Sequence, residues 1–154
     1  MRIAKLLVTA VLGLAACTTI PRDPEPLAGS SWHRTDDADA SPHYATIVFA
    51  ADSASGYAGC NTWSARSSGR QHNQFRGAIQ FGPVATTRMM CPPSSMHTEQ
   101  VFLPVLQHAR QFEWSAIENG AELRLFDGRG ALLAIFECDD GCPADIVSMG
   151  SRRR

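Results

Sequence analysis

Beyond residue 26 the chain alternates apolar and polar positions in short runs broken by Gly, Asn, Asp and Ser. A period of two is the mark of half-buried antiparallel strands. Ser31-Trp32-His33-Arg34 opens the series. An Asp-rich loop and Pro42 lead into Ala45-Thr46-Ile47-Val48-Phe49, rich in β-branched and aromatic residues. The turn signal from Asp52 to Gly56 precedes a run from Tyr57 to Trp63, and the polar stretch Ser64 to Asn73 reads as an exposed loop. From Phe75 to Phe81, a regular strand would place Phe75, Ile79 and Phe81 on one face. One segment changes period: between Ser94 and His108, Phe102, Leu106 and Ala109 recur at near-helical spacing, with Ser94 or Ser95 as cap. Pro104 should kink or shorten that helix, because it lacks a donor. Phe112–Ala116, Glu122–Phe126 and Leu132–Phe136 then form a meander, joined by connectors whose glycines accept positive φ. Seven or eight strands and one α-helix predict a mainly β fold, a small antiparallel barrel in which closure removes exposed edges.

The first residues depart from this pattern. Arg2 and Lys5 precede the apolar run Leu6 to Leu14, the layout of a secretory signal peptide, and the run is too short to span a bilayer as a helix. It ends in Leu14-Ala15-Ala16-Cys17, which resembles a bacterial lipobox. The competing reading is an ordinary signal peptide, since Ala15-Ala16 also suits a general signal peptidase. Cleavage before Cys17 would make it the first residue, and acyl chains on it would anchor the protein permanently. Thr18, in place of Asp, implies by the same resemblance the outer membrane, on its periplasmic face. The expected map is a signal peptide over 1–16, lipid attachment and a Pro-rich tether over 17–26, one domain over 27–137 and a tail over 138–154.

Charge removes whole classes of function. The formal net charge of −1 becomes −3 once Arg2 and Lys5 are cleaved away, so nothing points to nucleic acid as a partner. Lys5 is the chain's lone lysine, which excludes Schiff-base chemistry and a phosphate-binding loop lysine from the mature protein. Membrane contact is assigned to lipid rather than to a basic patch, with Ser151-Arg152-Arg153-Arg154 read as a solvated tail ahead of the alternative that it touches anionic lipid or lipopolysaccharide.

Four cysteines remain after lipidation, Cys60, Cys91, Cys138 and Cys142, an even number suited to disulfides in an oxidising compartment. They permit three pairings, and sequence alone does not choose among them. Cys60 with Cys91 is favoured because both fall inside the expected core, and Cys138 with Cys142 because they flank Asp139-Asp140-Gly141. The alternatives are a metal site of Cys138 and Cys142 joined by His97 or by the carboxylates of Asp139 and Asp140, or a catalytic Cys60 or Cys91 paired with a histidine. Neither has the spacing or local setting that such chemistry needs.

Three blocks occur in a fixed order: Gly59-Cys60-Asn61 with Trp63, then Thr86-Thr87-Arg88-Met89-Met90-Cys91, then Glu99 ahead of Val101-Phe102-Leu103 and Leu106. With Trp32 before them and Leu123-Arg124-Leu125 after, the set resembles the META domain, the HslJ-like family of heat-shock lipoproteins, over about residues 27–136. The resemblance implies a mainly β barrel with one helix, no cofactor and no established enzymatic activity, in proteins linked to envelope stress and antibiotic tolerance. Trp32, Gly59, Cys60, Asn61, Thr87, Arg88, Met89, Cys91 and Glu99 are its motif residues here. Arg88 and Glu99 are expected to pair across the junction of strand and helix or to face a ligand, and Met89, Met90 and Met96 to fill core. Trp32, Trp63 and Trp114 are expected in the core or at the barrel mouth.

The leading expectation is a non-catalytic, lipid-anchored envelope protein that supports the outer membrane by binding another envelope component. A second is a small-ligand binder or protein inhibitor that uses the barrel mouth for an apolar molecule. A third, metal or redox chemistry by cysteine and histidine, requires free thiols.

Overall fold

The computed structural model describes residues 26–37, 44–73, 75–118 and 120–142; the segment expected to be a signal peptide, Cys17, most of the expected tether, Pro42 and the residues from 143 onward lie outside them. Among the described residues, nine strands and one helix follow in order as β1 (Ser31–Arg34), β2 (Thr46–Phe49), β3 (Ser53–Tyr57), β4 (Thr62–Asn73), β5 (Arg76–Phe81), β6 (Ala85–Thr86), α1 (Pro93–His108), β7 (Gln111–Ile117), β8 (Gly120–Phe126) and β9 (Leu132–Asp140). All pairings are antiparallel, and the order β3-β2-β1-β9-β8-β7-β5-β4 closes on itself through β3–β4. The outcome is an eight-stranded barrel, with β6 a two-residue addition on β4.

Alternation explains the wall. Trp32 and Arg34 point inward on β1, Ile47 and Phe49 on β2, Phe112 and Trp114 on β7, and Ala121, Leu123 and Leu125 on β8. Helix α1 contributes Phe102, Val105 and Leu106 to the same core. The ring of Phe102 lies 5.9 Å from Trp63 and 6.3 Å from Phe136, and Trp63 meets Phe81 edge-on at 6.1 Å. Aromatic side chains from helix and wall therefore meet within one core. Trp32 is fully buried and donates through Nε1 to Ser30 Oγ at 2.6 Å, which in turn donates to the Leu27 carbonyl.

Several expectations change. The polar stretch Ser64–Asn73 is not a loop but most of β4, the longest strand described. Its inward positions are Trp63, Ala65 and Ser67, small or polar after the first, so the alternation carries little hydrophobic signal. The expected turn at Asp52–Gly56 is strand β3, and the turn itself sits earlier, closed by Ala50 N donating to the Ser53 carbonyl. Gly56 has no side chain because a Cβ there would collide with the Thr46 backbone, so a tight strand approach reads locally as a turn signal. Phe75 does not share the Ile79 face; it precedes β5 in a turn where Asn73 Oδ1 accepts from the backbone of Phe75 and Arg76.

Helix α1 starts at Pro93, with Pro92 as its N-cap and no side-chain cap, so neither serine caps it. Proline at the first turn loses no bond that the helix would have made. Pro104 does not end the helix, which runs to His108. Both Pro104 and Gln100, whose carbonyl loses its donor, are exposed, so that oxygen is open to solvent rather than buried without a partner. Arg110 closes the far end by donating to the Gln107 and Ala109 carbonyls. β9 runs through Asp140, and Cys138 pairs with Trp32 in the sheet rather than starting a tail.

Candidate functional site

Apart from Trp32, which is buried on β1 and pairs with Cys138, the motif residues converge at one end of the barrel, where the β3–β4 loop, the segment after β6 and the start of α1 meet. Gly59 has φ of 106°, and a Cβ there would lie 2.6 Å from Thr98 Cβ on the helix. Only glycine combines that backbone with that approach. Tyr57 Oη donates to the Gly59 carbonyl at 2.7 Å, fixing the loop from the strand side. Cys60 then joins Cys91 in a disulfide, which ties the loop to the residue that precedes the two prolines of the helix start.

Asn61 is buried and makes the junction. Its backbone N donates to Glu99 Oε2 at 2.8 Å, and its Nδ2 donates to Glu99 Oε1 at 3.3 Å. Its Oδ1 accepts from Met89 N at 2.7 Å and from Thr87 Oγ1 at 3.0 Å. Thr87 Oγ1 also accepts from Thr62 N at 3.2 Å, while Thr87 N donates to the Thr62 carbonyl. One amide thus links loop, helix and the segment 87–91, which explains why Asn, Thr and Glu are needed at these positions.

This geometry corrects two expectations. Arg88 does not pair with Glu99: both oxygens of Glu99 are taken by Asn61, and Arg88 is exposed with no ion pair to a described residue. Met89 and Met90 are not core; they are 56% and 100% exposed, because the bonds to Asn61 and the disulfide hold the backbone flat against the barrel and leave the side chains outside. Met96 is half-buried on α1. Thr62, Tyr57 and Thr98 belong to the junction although sequence reasoning passed over them. Their only signal was proximity to Gly59-Cys60-Asn61 in the chain or, for Thr98, to Glu99.

The arrangement is a latch with its polar atoms spent on one another. The carboxylate accepts two bonds from one residue, and the two sulfurs are joined. What it presents outward is Arg88-Met89-Met90, a short cationic and apolar strip on a backbone pinned at both ends. At the opposite end, Cys138 and Cys142 form the second disulfide, so their sulfurs are not metal ligands. No group of three or more His, Cys, Asp or Glu suited to a metal ion occurs among the described residues. Likewise no helix there is long and apolar enough to cross a membrane.

The family model of the META domain matches residues 25–140. An NMR structure of a protein from Burkholderia xenovorans is similar at 19% identity and a TM-score of 0.54, covering 89% of this chain and 99% of that one. At that identity the likeness speaks to the fold alone. Among curated proteins none matches the chain significantly.

Proposed function

The chain belongs to the META domain family, and from that premise we propose that it is a non-catalytic, lipid-anchored protein of the outer membrane that supports envelope integrity under stress by binding another envelope component. The observation that carries this reading is Cys17, set directly after a positively charged start, an apolar run and Leu14-Ala15-Ala16. The two disulfides agree with an exported, oxidising setting. They also occupy every cysteine after Cys17, which leaves no thiol for metal or redox chemistry.

The aromatic packing among Trp63, Phe81, Phe102 and Phe136 favours an exterior contact over an apolar ligand held inside the barrel. Arg88-Met89-Met90 is the surface best suited to it, because a preordered strip loses little freedom on binding. Methionine adds a polarisable side chain that adapts to a partner's shape.

Mass spectrometry of the membrane-extracted protein is the direct test. It should show a chain beginning at acylated Cys17 with no thiol reactive under denaturing, non-reducing conditions. An unprocessed chain with four reduced cysteines beyond residue 17 defeats the reading. A deletion strain should lose permeability control or drug tolerance, and unchanged values for both would empty the functional half of the proposal.

A further inference from the structure

We infer that the β4–β5 hairpin is an arm that docks on anionic phospholipid headgroups of the bilayer to which Cys17 tethers the chain; the inference rests on the anchoring proposed above. Charge distribution is the first support. Between Asp52 and Glu99 the sequence holds no acidic residue, yet it contains Arg66, Arg70, Arg76 and Arg88 together with His72 and His97. The fold gathers part of that excess on one hairpin. Arg66, Arg70 and His72 stand on the same exposed face of β4, at the strand period of two, and Arg76 opens β5 beside them. Arg66 and Arg70 form no ion pair with a described residue, whereas Arg76 is held at 3.0 Å by Glu113. Phe75, 38% exposed at the turn, adds an aromatic ring of the kind that settles among headgroups.

Position is the second support. Gly29 N donates to the Phe49 carbonyl, Phe49 N to that of Ser30, and Ser67 N to that of Asp52. The first described residues, the β2–β3 turn and the root of the hairpin therefore form one end of the barrel, opposite the latch. Gly141 packs on Gly29 at this end as well. From Ser67 to Asn73 the arm rises roughly 20 Å at the usual strand spacing. The tether from residue 18 to 26 spans at most about 30 Å when fully extended. Arm and tether reach over similar distances, so a bilayer holding Cys17 lies within range of Arg70, His72 and Phe75. A net charge of −3 conceals this, because the cations are grouped and the acids lie elsewhere in the chain.

The same end carries Asp52, Glu118, Asp139 and Asp140, with Asp139 bonded to His33 at 2.7 Å. Glu118 lies at the tip of the β7–β8 hairpin. An anionic surface attracts one hairpin and repels the other, so the barrel leans on β4–β5.

Hydrogen exchange of the acylated full-length mature chain tests this, in vesicles of phosphatidylcholine with and without phosphatidylglycerol. Amides from Ser67 to Arg76 should exchange several-fold more slowly in the anionic vesicles, while those of Ser115 to Gly120 stay unchanged. Protection should vanish at about 0.5 M salt, where the screening length is only a few ångströms. It should also vanish in the variant Arg66→Glu/Arg70→Glu, whose fold is checked by unaltered exchange in β8 and β9. Equal exchange in both lipids, equal protection of both hairpins, or protection that survives charge reversal each overturns the inference. The mass of the same sample reports acylation separately: a chain without acyl groups defeats the anchoring, and an acylated chain with an unprotected hairpin defeats only the docking.

Discussion

Asn61 shows how one short polar side chain can hold three elements. Its Oδ1 takes two donors and its two nitrogens supply Glu99, so truncation strips a bond from Glu99 Oε1, from the Met89 N–H and from the Thr87 hydroxyl, while the backbone N–H of residue 61 still holds Glu99 Oε2. Asn61→Ala should lower stability by about 3 kcal/mol in urea titration, the cost of several unsatisfied groups rather than of one bond. Asp127 does a smaller version of this at the β8–β9 turn, where its carboxylate accepts from Ala131 N and Arg129 N at 2.8 Å. The bond from Ala131 leads, with that from Arg129, in holding its carboxyl below the ordinary 3.8. A depressed carboxylate stabilises above its unfolded value and ceases to do so as pH falls through the folded one. Asp127→Ala should therefore lie below the parent in Tm at neutral pH, and the gap should narrow only below pH 3.8.

The elements respond differently to the same residue type. Pro92 and Pro93 begin α1 without loss, but Pro104 removes a bond from its interior and survives because that face is wet. Pro104→Ala should raise stability by about 1–3 kcal/mol in thermal or urea unfolding, since alanine restores the donor and the favoured backbone. The two disulfides also differ by element. Cys60–Cys91 closes a separation of 31 residues between strand loop and helix, whereas Cys138–Cys142 closes one of 4 at a strand end. Chain-entropy arithmetic gives about 4 kcal/mol for the first and about 2 kcal/mol for the second, so paired Cys→Ala variants should rank in that order in urea.

At the scale of the molecule the two exposed features lie at opposite ends of the barrel. On the proposals above, the latch end offers Arg88-Met89-Met90 to a partner, and the end that carries the first described residues offers the β4–β5 hairpin to lipid. If the first is the partner surface, Met89→Ser/Met90→Ser should leave Tm within a degree or two, as exposed positions do, and still fail to restore drug tolerance to a deletion strain. Full complementation by that variant would move the partner surface elsewhere. The separation of the ends follows from topology: β4 begins beside Thr87 at one and overhangs β3 at the other.

Local pattern by itself determined the strands with strong inward residues, β1, β2 and the β7–β9 meander, together with the helix, because apolar side chains at a fixed period leave few other ways to bury them. It also determined the ordered motif that marks the family. Tertiary structure alone decided β3 and most of β4, whose inward positions are Ala54, Ala65 and Ser67 and whose Gly56 answers to a neighbouring strand. It likewise turned Glu99 toward Asn61 instead of Arg88, and put Met89 and Met90 outside the core. The reason is physical: a side chain's own chemistry sets whether it prefers water, but its partner is whichever group the closed barrel brings within reach.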